Sequence, residues 1–175
     1  GSEERILRAA DQVLSRGIAR LTLLGDEGEI RASARQLGVH IDQAAVVDPA
    51  EAAPVVRAIE RSGAQLTQIL CTHHHPDHCG GNSELVARYR AAVCAHASDA
   101  ARVPGFSHGL EEGDLVAVGQ QSARVLFIPA HTRGHIAYVF DAASAVFCGD
   151  TLFAAGCGRL FEGTPEMMFS ALNGK

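Results

Sequence analysis

Residues 72–81 read Thr72-His73-His74-His75-Pro76-Asp77-His78-Cys79-Gly80-Gly81, directly after the largely apolar run Leu66 to Cys71. That run has the length and composition of a buried strand, so the histidines stand where a strand runs out. In extended backbone, residues two apart point the same way, and His73 and His75 can therefore aim two imidazoles at one ion. Pro76 bends the chain, after which Asp77 and His78 can face a second ion. Gly80-Gly81 lets the backbone pass close to the cluster before the next helix. Imidazole with carboxylate suits zinc, with iron or manganese acceptable because aspartate oxygens temper the nitrogen preference. A purification-tag fragment belongs at a terminus and not between a strand and a helix, so the stretch is read as a metal site.

Two later strand ends carry the other donors. Pro129-Ala130-His131-Thr132-Arg133-Gly134-His135 follows a predicted strand over Arg124 to Ile128, and Gly149-Asp150-Thr151 follows one over Ala145 to Cys148. Sites in α/β proteins gather on loops at strand ends, which makes a third imidazole from His131 and a carboxylate from Asp150 natural. His135 is read as a hydrogen-bonded supporting or core histidine. Six of the nine histidines thus fall in two short clusters.

Helical spacing over Glu3 to Ser15, a buried strand over Ile18 to Leu24 and a helix through Ile30, Ala34 and Leu37 open the chain. A strand over Ala44 to Val47, stopped by Asp48-Pro49, a helix over Glu51 to Arg61 and the strand before Thr72 continue the alternation, whose short turns suit parallel crossovers. After Thr72 the pattern predicts a helix over Asn82 to Tyr89 and a strand over Ala92 to Ala95. Short strands follow over Asp114 to Val118, Arg124 to Ile128, Ala137 to Phe140 and Ala145 to Cys148, and a closing helix starts near Thr164-Pro165. No repeat, low-complexity tract or linker interrupts this, which reads as one mixed α/β domain.

Composition agrees. The 175 residues are 47% hydrophobic, enough for a packed core, and 15 basic against 20 acidic residues give a net charge of −5. The sequence pI near 6.0 and mean hydropathy of +0.06 predict a mildly acidic globule with no cationic face for nucleic acid or anionic lipid. No apolar run approaches the roughly 20 residues of a membrane span, and the polar start is unlike a secretion signal, so the expected setting is cytoplasmic, with no membrane partner. Gly1-Ser2, with no initiator Met, reads as the scar of a removed tag. The five cysteines, Cys71, Cys79, Cys94, Cys148 and Cys157, are odd in number and form no C-x-x-C pair, which argues for reduced thiols.

T-H-H-H-P-D-H-C-G-G-N, P-A-H-T-R-G-H-I and F-C-G-D-T-L-F-A-A-G-C-G-R-L-F-E-G-T together resemble the metallo-β-lactamase superfamily, and within it glyoxalase II, the hydroxyacylglutathione hydrolase family. The resemblance runs from about Ala45 to the end, roughly three quarters of the chain. It implies an αββα sandwich, with His73, His75 and His131 forming a first metal site, Asp77 and His78 serving a second, and Asp150 bridging. It also implies hydrolysis of a small-molecule thioester such as S-lactoylglutathione by metal-activated hydroxide. Asp77 and Asp150 would hold that hydroxide as catalytic groups, and Arg159 would lie near the glutathione end of the substrate.

The chain departs from that family twice. No histidine follows His135, whereas the family carries a further ligand and a helical region downstream; His96 or His108 could replace the ligand only from a loop. One tightly bound zinc and a weak or absent second ion are therefore expected, and the apolar face around Phe169 and Leu172 predicts a homodimer. Upstream, residues 3–48 resemble a segment of phosphate acetyltransferase, and the two resemblances meet around Ala44 to Pro49. The reading is of an artificial chimera: an N-terminal α-β-α segment over residues 3–48 that adds a parallel strand to a truncated metallo-β-lactamase-like sandwich over residues 45–175, together one domain. A metal-binding chimera of architectural interest, without efficient catalysis, is the alternative to an active hydrolase.

Overall fold

In the computed structural model, which describes residues 43–119 and 121–175, two four-stranded sheets stack face to face. The first sheet is built by β-strand, helix, β-strand crossovers. Strand β1 (Gln43–Val47) leads through helix α1 (Ala52–Ser62) to β2 (Gln65–Leu70). A helical turn α2 (Pro76–Cys79) and helix α3 (Asn82–Tyr89) then lead to β3 (Ala92–His96) and β4 (Phe106–Leu110). All four strands are parallel in the order β1-β2-β3-β4. The second sheet is an antiparallel meander of β5 (Leu115–Val118), β6 (Gln121–Phe127), β7 (Ile136–Phe140) and β8 (Ala145–Phe147), and helix α4 (Pro165–Asn173) closes the chain.

Side-chain alternation on the parallel strands divides the core in two. Ile69, Val93 and Ala95 turn toward the helices and pack with Ala52, Val56 and Leu85. Leu70, Cys94 and Leu110 turn the other way and meet Val116, Val125, Ile136 and Tyr138 from the antiparallel sheet. Each buried leucine or valine contributes about 1.5–3 kcal/mol. Tyr138, fully buried between the sheets, donates its hydroxyl to the carbonyls of Cys71 at 3.0 Å and Cys94 at 3.3 Å. One side chain of the second sheet thereby links the end of β2 to the middle of β3.

The sequence-predicted strands and helices from Ala44 onward all appear, with ends shifted by a few residues. Two features differ. Strand β4 was not anticipated, because Phe-Ser-His-Gly-Leu has no alternation to read; it is held by its ladder to β3. Pro76 does more than bend the chain, since it opens the helical turn α2 from the N1 position that proline favours. The elements expected before residue 43, and the parallel strand they would add, lie outside the described residues. Among the described residues no helix is long and apolar enough to cross a membrane.

Candidate metal centre

Three loops deliver the predicted donors, each from the end of a strand. Residues 72–79 leave β2, residues 128–135 leave β6, and residues 148–151 leave β8. The first two are laced together by the Ile136 N–H donating to the Thr72 carbonyl at 2.9 Å. The third approaches closely because residue 149 is glycine: φ is +47°, and a Cβ there would meet Thr72 Oγ1 and lie 2.9 Å from the His135 ring.

The donors converge in two groups, His73 with His75 and His131, and His73 with His78 and Asp150. His75 Nδ1 lies 3.1 Å from His73 Nε2 and 3.0 Å from His131 Nε2. His131 Nε2 is 3.3 Å from Asp150 Oδ2, while the other oxygen, Oδ1, is 3.1 Å from His78 Nε2. Four donors of a tetrahedral zinc site, each about 2.0–2.1 Å from the ion, stand about 3.4 Å from one another. The His73–His75, His75–His131 and His131–Asp150 separations approach that spacing, and the two oxygens of Asp150 lie beside His131 of one group and His78 of the other.

Hydrogen bonding fixes which ring nitrogen is free to ligate. The Thr72 hydroxyl donates to Asp48 Oδ2 at 2.7 Å, so its oxygen must accept from His73 Nδ1 at 3.0 Å, leaving the His73 Nε2 lone pair for an ion. His131 Nδ1 donates to the Arg159 carbonyl at 2.7 Å, which likewise frees Nε2. His78 Nδ1 donates to Asp48 Oδ2 at 3.1 Å and turns its Nε2 toward Asp150. Burial, reinforced by His135, holds His73 far below the ordinary histidine range, and burial with His131 lowers His75, so both rings are neutral as ligands must be. His78 moves the other way, raised chiefly by its hydrogen bond to Asp48.

Asp48 is the residue that sequence reasoning missed. It was read only as the stop of a strand, yet it accepts the Thr72 N–H at 2.7 Å and orients two candidate ligands. A topological signal was available: β1 pairs in parallel with β2, Val47 beside Leu70, so the residue after one strand must sit near the residues after the other. Cys79 also serves the loop, its thiol donating to the carbonyls of His74 and His75 at 3.1 and 3.2 Å. Burial pushes this thiol up to about 11, which keeps it a donor.

Other predicted residues fall elsewhere. Asp77 joins neither group; its carboxylate is 76% exposed and 3.8 Å from His78 Nε2. The helical turn is the reason, because successive side chains there diverge by about 100°, which leaves the Asp77 carboxylate in solvent while His78 turns to Asp48 and Asp150. Gly80-Gly81 approaches the loop after β1 instead of the histidines, since a Cβ on Gly81 would lie 2.8 Å from Ala52 N. His135 is fully buried against His73, with Nε2 accepting the Asp150 N–H at 3.2 Å, and burial pushes it down to about 3. His96 stacks on Phe127 and His108 hydrogen-bonds Ser107, and neither enters a donor group. Arg159 supplies its carbonyl to His131, while its guanidinium lies 6.0 Å from the Phe161 ring centre. Three of the donors, His75, His131 and Asp150, line an open hollow of about 560 Å³ whose walls also include Asp77, Phe153, Arg159 and Phe161.

With the sandwich and donor set in view, the metallo-beta-lactamase superfamily matches residues 37–174. The chain belongs to the metallo-beta-lactamase superfamily. Its His-rich centre is accordingly a candidate site for divalent metal. A hydroxyacylglutathione hydrolase of Gloeobacter violaceus is 57% identical over 130 residues, covering 74% of this chain and 52% of that protein. One from a Synechococcus strain is 54% identical over 131 residues with the same coverage. The chain thus spans about half the length of the curated relatives it matches. Among solved structures, ETHE1 from Myxococcus xanthus superposes with a TM-score of 0.65 at 30% identity, covering 74% of this chain and 57% of that one. The BLEG-1 B3 metallo-beta-lactamase gives 0.70 at 22% identity over 77% and 75%, a likeness of fold. TTHA1623, solved in a di-iron-bound form, gives 0.60 at 28% identity over 71% of each chain. A second family, phosphate acetyl/butaryl transferase, matches residues 1–70 and overlaps the first match from residue 37.

Proposed function

We propose that the chain is a metal-dependent hydrolase of small-molecule thioesters, of the type for which its hydroxyacylglutathione hydrolase relatives are named. One observation carries the reading: His73, His75 and His131 converge at ion-binding spacing with Asp150 beside His131, and His75, His131 and Asp150 line a hollow open to substrate. A divalent ion held there would polarise a thioester carbonyl and activate water. Asp150, near histidines of both groups, and Asp77, on the wall of the hollow, are the carboxylates proposed to hold the attacking water. Arg159 and Phe161 form the wall against which the thiol carrier would rest. A thiolate is a good leaving group, so no protein nucleophile is required.

Zinc is the proposed ion because imidazoles dominate the set, with iron the alternative that the di-iron form of TTHA1623 suggests. One ion is proposed to bind tightly. His73 belongs to both groups, and once its Nε2 is committed to His75 and His131, only His78 and a share of Asp150 remain for a second. The two overlapping family matches support a chimeric origin for the chain, with the N-terminal segment in a structural role. The reading is tested by hydrolysis of S-lactoylglutathione. The zinc-loaded chain is expected to turn it over, and His75→Ala to lose that turnover together with the metal. Bound zinc without turnover in the parent chain would instead support a metal-binding protein of architectural interest.

A further inference from the structure

Hydrogen bonds to supporting groups orient His73, His78 and His131, but not His75. Among the described residues the His75 Nδ1 meets only the other candidate ligands, His73 and His131, and its Nε2 meets no protein acceptor. The ring has two aromatic neighbours instead. His74 lies edge-on to it, with ring centres 4.9 Å apart at 66°, and Phe161 does so at 5.3 Å and 88°. Edge-to-face pairing is directional, so a neighbour that is itself fixed can hold an imidazole in one orientation.

His74 joins neither donor group, and it is fixed at both of its nitrogens. Arg102 has only N–H groups to offer, so His74 Nε2, 3.3 Å from Arg102 Nη1, is the acceptor, and His74 Nδ1 donates to Asp99 Oδ2 at 3.2 Å. Asp99 is fully buried, which is costly for a carboxylate unless it is paired. Its other oxygen accepts from Arg102 Nη2 at 2.5 Å, its carbonyl accepts the N–H of Arg102 and of Val103, and a Cβ on Gly134 would run into its carboxylate. Arg102 also donates to Glu162, the residue after Phe161, at 2.5 Å. The Asp99–Arg102 pair therefore holds both aromatic neighbours of His75, His74 directly and Phe161 through the residue beside it.

We propose that His74 is a positioning residue of the metal centre, its ring locked by Asp99 and Arg102 so that it sets the orientation of the His75 imidazole. This rests on the reading of His75 as a ligand. It gives a physical reason for a third histidine between two ligands: phenylalanine would supply the ring without the hydrogen bonds, and asparagine the bond to Asp99 without the ring.

The test uses the full chain, freed of metal and titrated with zinc or cobalt(II). His74→Asn keeps an amide N–H where Nδ1 stands, so Asp99 stays paired and the metal-free variant is expected to melt with the parent. Its zinc affinity, read by competition with a chromophoric chelator, is expected to fall about tenfold. The visible absorption of the cobalt form, which reports ligand geometry, is expected to move toward that of His75→Ala. Asp99→Asn is expected to weaken zinc about tenfold in the parent and no more than about twofold on top of His74→Asn, because no ring is then left to hold. A parent-like zinc affinity or a parent-like cobalt spectrum in His74→Asn overturns the proposal and leaves the metal centre standing. So does a loss from Asp99→Asn that is as large with His74→Asn as without it. A parent chain that binds neither ion overturns the ligand reading of His75 and the proposal with it.

Discussion

Asp48 contributes nothing to the donor groups, yet more of the centre hangs on it than on any one ligand's own loop. Its two oxygens take the Thr72 N–H, the Thr72 hydroxyl and His78 Nδ1, and through Thr72 it sets the tautomer of His73. Its backbone is in the left-handed region at φ +47°, a conformation asparagine also tolerates. Asp48→Asn therefore preserves the turn while removing the charge and one acceptor. Zinc affinity, measured by competition with a chromophoric chelator, is expected to fall by about tenfold to a hundredfold. Unchanged affinity would mean that the carboxylate does not orient the ligands. His73 and His75 were legible from the period-two rule, since an extended chain leaves only one arrangement for alternate side chains. Asp48 was not legible from any local pattern, because its role comes from the neighbouring strand.

At the scale of elements, the centre is a junction of loops. The segment 157–163 gives the Arg159 carbonyl to His131, the Phe161 N–H to the His131 carbonyl at 3.3 Å, and Glu162 to both Arg102 and the Arg133 N–H. Arg102 and Glu162 are 60 residues apart, joined by no motif, and sequence reasoning had no means to pair them. The same limit applies to Asp77, whose neighbour Pro76 signalled a bend but not a helical turn. Partial burial pushes the Glu162 carboxyl up, but the Arg133 N–H and the Arg102 guanidinium outweigh it and hold the group below its ordinary 4.5. A carboxylate lowered in the folded state adds stability above its unfolded value, and that stability is lost as pH falls through the lowered one. The melting temperature of the metal-free chain is expected to drop more steeply below pH 4.5 than that of Glu162→Gln. Parallel acid profiles would show that the clamp contributes nothing to holding the loops.

Over the whole molecule, the parallel strand β2 and the alternate antiparallel strands β6 and β8 end at the same edge, and Tyr138 links the two sheets. The parallel crossovers and the later run of short strands were readable from the alternation of elements, while the sandwich itself was what the family resemblance implied; the edge strand β4 was not readable, because pairing and not patterning holds it. The sandwich explains why donors far apart in sequence meet: His75 and His131 are 56 residues apart and 3.0 Å apart in space. The central claim is that this meeting point holds one ion and that the ion drives thioester hydrolysis. The most direct measurement is the rate of S-lactoylglutathione hydrolysis as zinc is added stepwise to the metal-free chain. The rate is expected to rise in proportion to zinc and to level off at one equivalent per chain. A rate that stays at the uncatalysed background through that equivalence, or that climbs only as a second equivalent binds, would contradict the account.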